Sequence, residues 1–289
     1  MTATTRRPMT IPAILAATTL FILVLAGANP SNAAAACQKT WAGGSGNWHD
    51  AANWIPSGVP GGGDDVCITA DGTYTVTIMV REGTINEFSG GADELTLGGN
   101  SGTQTIAVVG NFANGVSNTA SLSATTGTIN SHGAITFSSN DPGSDANLCA
   151  GDPGLTNDGT ITWNGGGGSR TMQGKVTNGA TGAFNVNTNL TIPGTHSCGS
   201  NGLTNNGGSV SVANGANFTD QESFAQSAGT TTVNGTMNAQ GTFNMTGGSF
   251  TGTKPSSTSL STCRPRPVAA RSSSTATPRS TPASLRGST

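Results

Sequence analysis

Apolar and polar residues alternate with a period of two through much of the chain after Gly72. In GTYTVTIMV, residues 72–80, Tyr74, Val76, Ile78 and Val80 fall on one side and Thr73, Thr75, Thr77 and Met79 on the other, the pattern of a strand with one buried face. Shorter runs of the same kind occupy 94–97, 104–109 and 120–124. A longer repeat lies over this one. GLTNDGTITW, beginning at Gly154, returns 48 residues later as GLTNNGGSVSV at Gly202, and each copy follows a cysteine, Cys149 or Cys198. Related units open at Ile129 (INSHGAITF), Leu155 (LTNDGTITW), Val176 (VTNGATGAF) and Leu203 (LTNNGGSVSV), spaced by 26, 21 and 27 residues. Such spacing suits one circuit of a three-sided solenoid with a short strand on each side. A unit of this size cannot bury its apolar face alone, so stacking is obligatory. Residues 221–253 supply one or two further circuits. Helical three-and-four spacing is absent from this body and Gly recurs too often for helices. The expected fold is all-β, a right-handed parallel β-helix over residues 72–253.

Composition agrees with a thin, elongated core. The 289 residues include 43 Gly, 9% charged residues and 5% aromatic ones. Thr and Val favour strands, while Gly and Asn accept the positive φ angles of tight corners. Charge is divided by region. Residues 37–253 hold Lys39, Arg81, Arg170 and Lys175 against all 14 acidic residues, a net of −10, whereas 254–289 carry six bases and no acid. An acidic body disfavours nucleic acid, whose phosphates need a basic face.

The two ends differ from the body. Residues 1–36 read as a secretory signal peptide: Arg6 and Arg7, an apolar stretch over 11–28, then small residues offering Ala-x-Ala cleavage sites. An uncleaved membrane anchor is the competing reading, because the apolar run nears spanning length. Cys37 follows the alanines, but Ala34 three positions earlier does not fit a lipobox. After cleavage no membrane association is expected. Residues 254–289, rich in Ser, Pro and Arg, read as a disordered basic tail. GGSFTGT just before them looks like a circuit left unfinished, so a frameshift in the gene is the alternative origin of the tail.

Residues 37–71 contain Trp41, Trp48 and Trp54, three of the four tryptophans in the chain. They suit either a cap over the first open edge of a solenoid or a platform on which sugar rings stack. The cap is favoured, with the three tryptophans as the candidates should glycan be bound. Trp41, Gly43, Gly44, Gly46 and Trp48, then Asn53 and Trp54, then Pro60, Asp64, Asp65 and Ile68 resemble the start of bacterial secreted β-helix proteins of the autotransporter-passenger and adhesin-like type. That resemblance spans about thirty residues. It implies a parallel β-helix displayed outside the cell and brings no catalytic residues.

Five cysteines in an exported chain suggest disulfides. Cys37 and Cys67 bracket the tryptophan stretch, Cys149 and Cys198 occupy equivalent places in two units, and Cys263 is left over. Asp141, Asp145, Asp152 and Asp158 could supply oxygen ligands to calcium, though their spacing matches neither an EF-hand loop nor the Gly-Gly-x-Gly-x-Asp repeat and a solvated acidic loop is preferred. No metal or other cofactor is expected. Arg170 and Lys175 beside those carboxylates would be the bases of a polysaccharide lyase or hydrolase, but no motif fixes their geometry and no catalytic residue is assigned. Thr-x-Thr pairs at Thr75/Thr77 and Thr160/Thr162 resemble those of ice-binding β-helices, yet neighbouring units carry Thr-Asn or Ser-Val, which leaves the array broken. The functional expectation is a secreted or cell-surface structural, adhesin-like protein presenting polar faces to glycans or cell-surface proteins, with a polysaccharide-active enzyme as the alternative.

Overall fold

The structure is a computed structural model describing residues 36–257 except His196 and Asn201. Residues 1–35 and 258–289, on which the signal-peptide and frameshift expectations rest, lie outside the described residues. The chain divides into two compact units, Met1–Ala36 and Cys37–Thr289, and every strand among the described residues belongs to the second.

This second unit is all-β. Among the described residues, 22 strands form one large, mostly parallel sheet, and a single 3₁₀ turn spans Ala51–Asn53. Three parallel ladders run through the sheet, and the chain visits them in rotation. The first ladder passes through Gly46–Asn47, Tyr74–Ile78, Gln104–Ala113, Gly133–Ser139, Thr160–Trp163 and Ala183–Val186. It continues through the later halves of Gly202–Val212 and Ser223–Val233 to Ser249–Gly252. The second takes the early halves of Ser89–Leu97, Ala120–Ile129, Ala146–Asn157 and Arg170–Asn178, then Leu190–Ile192, Asn217–Asp220, Thr236–Ala239 and Ser256–Ser257. The third starts at Lys39–Trp41 and Val66–Ile68. It takes the later halves of the same four long strands, then the early halves of Gly202–Val212 and Ser223–Val233, and ends at Thr242–Met245. Register shifts fall where a long strand bends from one ladder to the next, as between Ala150 and Leu155 or Asn205 and Ser209. No shift occurs within the first ladder's pairings.

Strict alternation makes the core. Val76, Ile106, Ile135 and Ile161 stack in one inward column and Ile78, Val108, Phe137 and Trp163 in the next, all 0% exposed. Each large aliphatic side chain so buried contributes about 1.5–3 kcal/mol. Phe137 and Trp163, in register, stack with ring centroids 4.1 Å apart. On the third ladder one inward column changes chemistry along its length. Ile68, Leu97 and Ile129 lead to Asn157, Asn178, Asn205 and Gln226, and the four amides are as buried as the aliphatics. Asn157 Nδ2 donates to Asn178 Oδ1 at 2.8 Å, Asn178 Nδ2 to Asn205 Oδ1 at 3.1 Å, and Asn205 Nδ2 to Gln226 Oε1 at 3.4 Å. Burial of amides is tolerated because each finds a partner in the next circuit.

Two sequence expectations need correction. Leu155, Val176 and Leu203 do share one column, but Ile129 does not open an equivalent unit: it pairs with Asn157, and Gly127 pairs with Leu155. The phase of that unit is offset by two residues because Gly127, without a side chain, holds the place that Leu155 fills next. Pairing also continues past Thr253, where the tail was expected to begin, since Ser256–Ser257 runs parallel to Asn238–Ala239. A two-residue strand in a Ser-rich stretch has no apolar alternation to announce it.

Candidate functional site

The tryptophan stretch is built as packing. Trp41, Trp48 and Trp54 are 1%, 0% and 1% exposed. Trp54 meets Trp41 and Trp48 edge to face, each at a centroid distance of 4.9 Å, the geometry that aromatic quadrupoles favour. Trp41 Nε1 donates to the Gly44 carbonyl at 2.8 Å and Trp54 Nε1 to the Trp48 carbonyl at 2.7 Å. Sugar stacking needs an open ring face, and none of the three offers one, so the expectation that they are glycan-stacking residues is corrected. Arg81 fastens this stretch to the following loop. Its guanidinium donates to Asp50 Oδ1 at 2.8 Å and to both carboxylate oxygens of Glu87, at 2.6 and 2.9 Å. The guanidinium holds the Glu87 carboxyl down to about 2, and the two carboxylates in turn raise Arg81. Half-burial lowers His49, whose Nε2 lies 3.0 Å from the Ser89 carbonyl.

Both expected disulfides are present. Cys37–Cys67, with Cα atoms 5.6 Å apart, ties the start of the unit to Val66–Ile68. Cys149–Cys198, at 5.5 Å, holds the loop after Leu190–Ile192 beside the strand Ala146–Asn157. The Cys198 loop is held a second time by Ser200, whose Oγ donates to Asp152 Oδ2 at 2.9 Å. Two disulfides point to an oxidising, extracytoplasmic environment. No helix among the described residues is long and apolar enough to cross a membrane.

The carboxylates of 141–158 serve the backbone and hydroxyls around them. Asp141 accepts from Ser117 Oγ at 2.6 Å, Ser144 Oγ at 2.8 Å and the Gly143 amide at 3.0 Å, which lowers its pKa. Asp145 accepts from the Ser169 amide at 2.6 Å. Among the described residues no group of three or more His, Cys, Asp or Glu is placed to hold a metal ion. Arg170 is bonded to backbone carbonyls and, although Asp145 lies near it, makes no ion pair with a carboxylate among the described residues. It is 2% exposed, and it donates to the carbonyls of Asn164, Gly165, Gly167 and Ser169, closing the glycine-rich loop over itself. Lys175 points outward from its strand, away from the interior.

The most regular surface is the outer side of the first ladder, which sequence spacing alone did not assemble. One outward column runs Thr75, Thr105, Ala134, Thr160, Ala183, Ser209, Thr230 and Ser249; the next runs Thr77, Ala107, Thr136, Thr162, Asn185, Ser211, Thr232 and Thr251. Every position is small or β-branched except Asn185. That side chain is held by Ser211 Oγ, which donates to its Oδ1 at 2.8 Å, and by its own bond to Thr162 Oγ1 at 3.5 Å. No Asp, Glu, Lys or Arg occurs in these strand segments, although the unit around them is acidic. The threonine array is interrupted, as the sequence suggested: Thr75/Thr77, Thr160/Thr162 and Thr230/Thr232 are the complete pairs among these strands. Pairs that looked isolated along the chain align across it, with Ala, Ser and Asn filling the places between them. A scan against protein-family models matches no family, and neither the curated proteins nor the solved structures contain a significant match.

Proposed function

We propose that the chain is a secreted or cell-surface structural protein, adhesin-like in character, whose second unit is a right-handed parallel β-helix presenting polar outer faces to glycans or partner proteins. One observation carries this reading. Three ladders visited in rotation bury most of the large apolar side chains, the tryptophans included, and leave mainly threonine, serine and other small or polar residues on the outer sides of the strands. Parallel crossovers in proteins are right-handed in about 98% of cases, which supports that hand. The tryptophan stretch is then the cap of the first circuit, in keeping with its resemblance to secreted β-helix proteins. Two disulfides fit export.

Cell fractionation combined with thiol labelling tests the location: the expected result is extracytoplasmic protein with Cys37, Cys67, Cys149 and Cys198 all oxidised. Recovery in the cytoplasm with four free thiols would refute it. A glycan array probed with the full chain tests the presentation role through saturable binding that persists when Trp48 is replaced by Phe, since that ring is internal. Binding that depends on an exposed tryptophan would contradict the assignment of the stretch as a cap.

A further inference from the structure

We infer that the uncharged outer side of the first ladder is a binding surface for ordered water, that is, for the surface of ice. The inference rests on the parallel β-helix reading above and names the ligand of one of its faces. Three properties of the face point the same way. The first is its neutrality. The described unit carries an excess of acid, yet eight successive strands of this ladder expose no charge. A charged partner has nothing to pair with here, and a neutral crystalline surface can approach without stripping the hydration of an ion.

Periodicity is the second property. Neighbouring strands lie about 4.8 Å apart and alternate residues of a strand about 6.6 Å apart. Thr160 and Thr162 with their stacked neighbours therefore occupy a rectangular net close to oxygen repeats in ice, extending roughly 34 Å over eight strands. The absence of register shifts within this ladder's pairings keeps the net unbroken, whereas the shifts fall at the bends of the long strands.

The third is rigidity with mixed chemistry. Threonine is stiff at χ1, its hydroxyl both donates and accepts, and its methyl is apolar, so hydroxyl and methyl groups are held in place before contact. Thr251 Oγ1 donates to Thr232 Oγ1 at 3.2 Å, and Asn185 is fixed on both sides. Little side-chain freedom is left to lose on adsorption. Within the paired segments of these strands no aromatic side chain points outward, so the face itself offers a crystalline polysaccharide no ring on which to stack; Phe112, 57% exposed, stands beyond the paired segment, in the hairpin with Val116–Asn118.

Ice-affinity partitioning and thermal hysteresis of the full-length, oxidised chain test this. The wild-type protein is expected to enter a slowly growing ice front and to depress its growth temperature. Thr162→Lys, at the middle of the face, is expected to lower both by roughly ten-fold, as for one uncompensated charge at the contact. Thr156→Lys, outward on the third ladder, is expected to leave both unchanged. Ser211→Lys serves as the second face variant if Thr162→Lys does not retain the wild-type circular dichroism. Exclusion of a folded wild-type protein from ice overturns the inference and leaves the β-helix standing. Equal loss in Thr156→Lys, or retention on crystalline cellulose or chitin in place of ice, overturns it as well. A circular-dichroism spectrum without strand signal refutes the β-helix and the ice face together.

Discussion

Asn178→Ala removes the middle of the buried amide column. The Asn178 side chain accepts from Asn157 Nδ2 at 2.8 Å and donates to Asn205 Oδ1 at 3.1 Å, the Gly182 carbonyl at 3.2 Å and the Ser209 carbonyl at 3.1 Å. Truncation does not affect these partners equally. The Gly182 carbonyl still accepts from the Ser209 amide at 2.8 Å, and Asn157 Nδ2 keeps its bond to the Ala183 carbonyl at 3.2 Å. Asn205 Oδ1 and one Asn157 proton are left buried and unpaired. Each such group costs about 1–3 kcal/mol, so with the small void added the expected loss is about 4 kcal/mol. Asn185→Ala, on the outer face, is expected to cost less than about 1 kcal/mol. Urea unfolding followed by tryptophan fluorescence measures both, with an unchanged m-value confirming that the native state is intact. If the two variants lose equal stability, or Asn178→Ala loses less than about 1 kcal/mol, the amide column is not what holds the later circuits in register. Replacing Asn157, Asn178 and Asn205 together by Ile, the residue used at Ile68 and Ile129, removes both partners of the two bonds that join them. Its cost should fall below the sum of the single substitutions.

Asp220 sits inward between Ile192 and Ala239, and burial pushes its carboxyl up to about 6. Because the folded value lies above the unfolded one, the stability it allows is complete below pH ~4 and falls as pH rises through 6, by up to about 3 kcal/mol. Asp220→Asn should flatten that slope in melting curves taken from pH 4 to 7, and an unchanged slope would show that the slope has another source. Glu87 behaves in the opposite sense. Held down to about 2 by Arg81, it contributes above its ordinary value and loses that contribution as pH falls from about 4.5 towards 2, a loss that Arg81→Met should abolish in acid titrations. Joint replacement of Cys149 and Cys198 by Ser, opening a span of 49 residues, should lower unfolding free energy by at most about 4 kcal/mol; no change in urea midpoint would argue that the Ser200–Asp152 bond alone holds the loop. Acrylamide should quench the native fluorescence weakly, since Trp41, Trp48, Trp54 and Trp163 are all buried, and strong quenching would contradict the packing described for the cap.

Alternation made the strands legible, and the recurrence of Leu-Thr-Asn at Leu155 and Leu203 gave one column correctly. What alternation could not convey is which polar residues turn inward. Asn157, Asn178 and Asn205 are polar by type and adjoin turns, so a sequence reading leaves them outside; only their alignment across circuits supplies the partners that make burial tolerable. The same limit hid the outer face of the first ladder. Thr136 and Thr162 lie in neighbouring strands but belong to circuits of unequal length, and no fixed sequence period brings them together. For Trp41, Trp48 and Trp54, the sequence favours a packed plug but leaves a binding platform open, and their burial decides between the two.

Circuit length itself changes along the molecule. Partners one circuit apart are 30 residues from each other at Thr73 and Thr103, 23 at Asn164 and Asn187, and 19 at Thr232 and Thr251. Spacing thus varies without a steady trend, since Leu190 and its partner Phe218 are 28 residues apart, and the three tryptophans pack beside the first strands while Phe224, Phe243 and Phe250 pack beside the last. Circuits of one length would be interchangeable parts; circuits of unequal length carry an address. A duplicated circuit can be accepted only beside neighbours of matching girth, so growth by simple duplication is constrained at each position, whereas gain or loss of single residues at the corners leaves the ladders aligned. Diversification in such a molecule would proceed through its corners and leave its faces as they are.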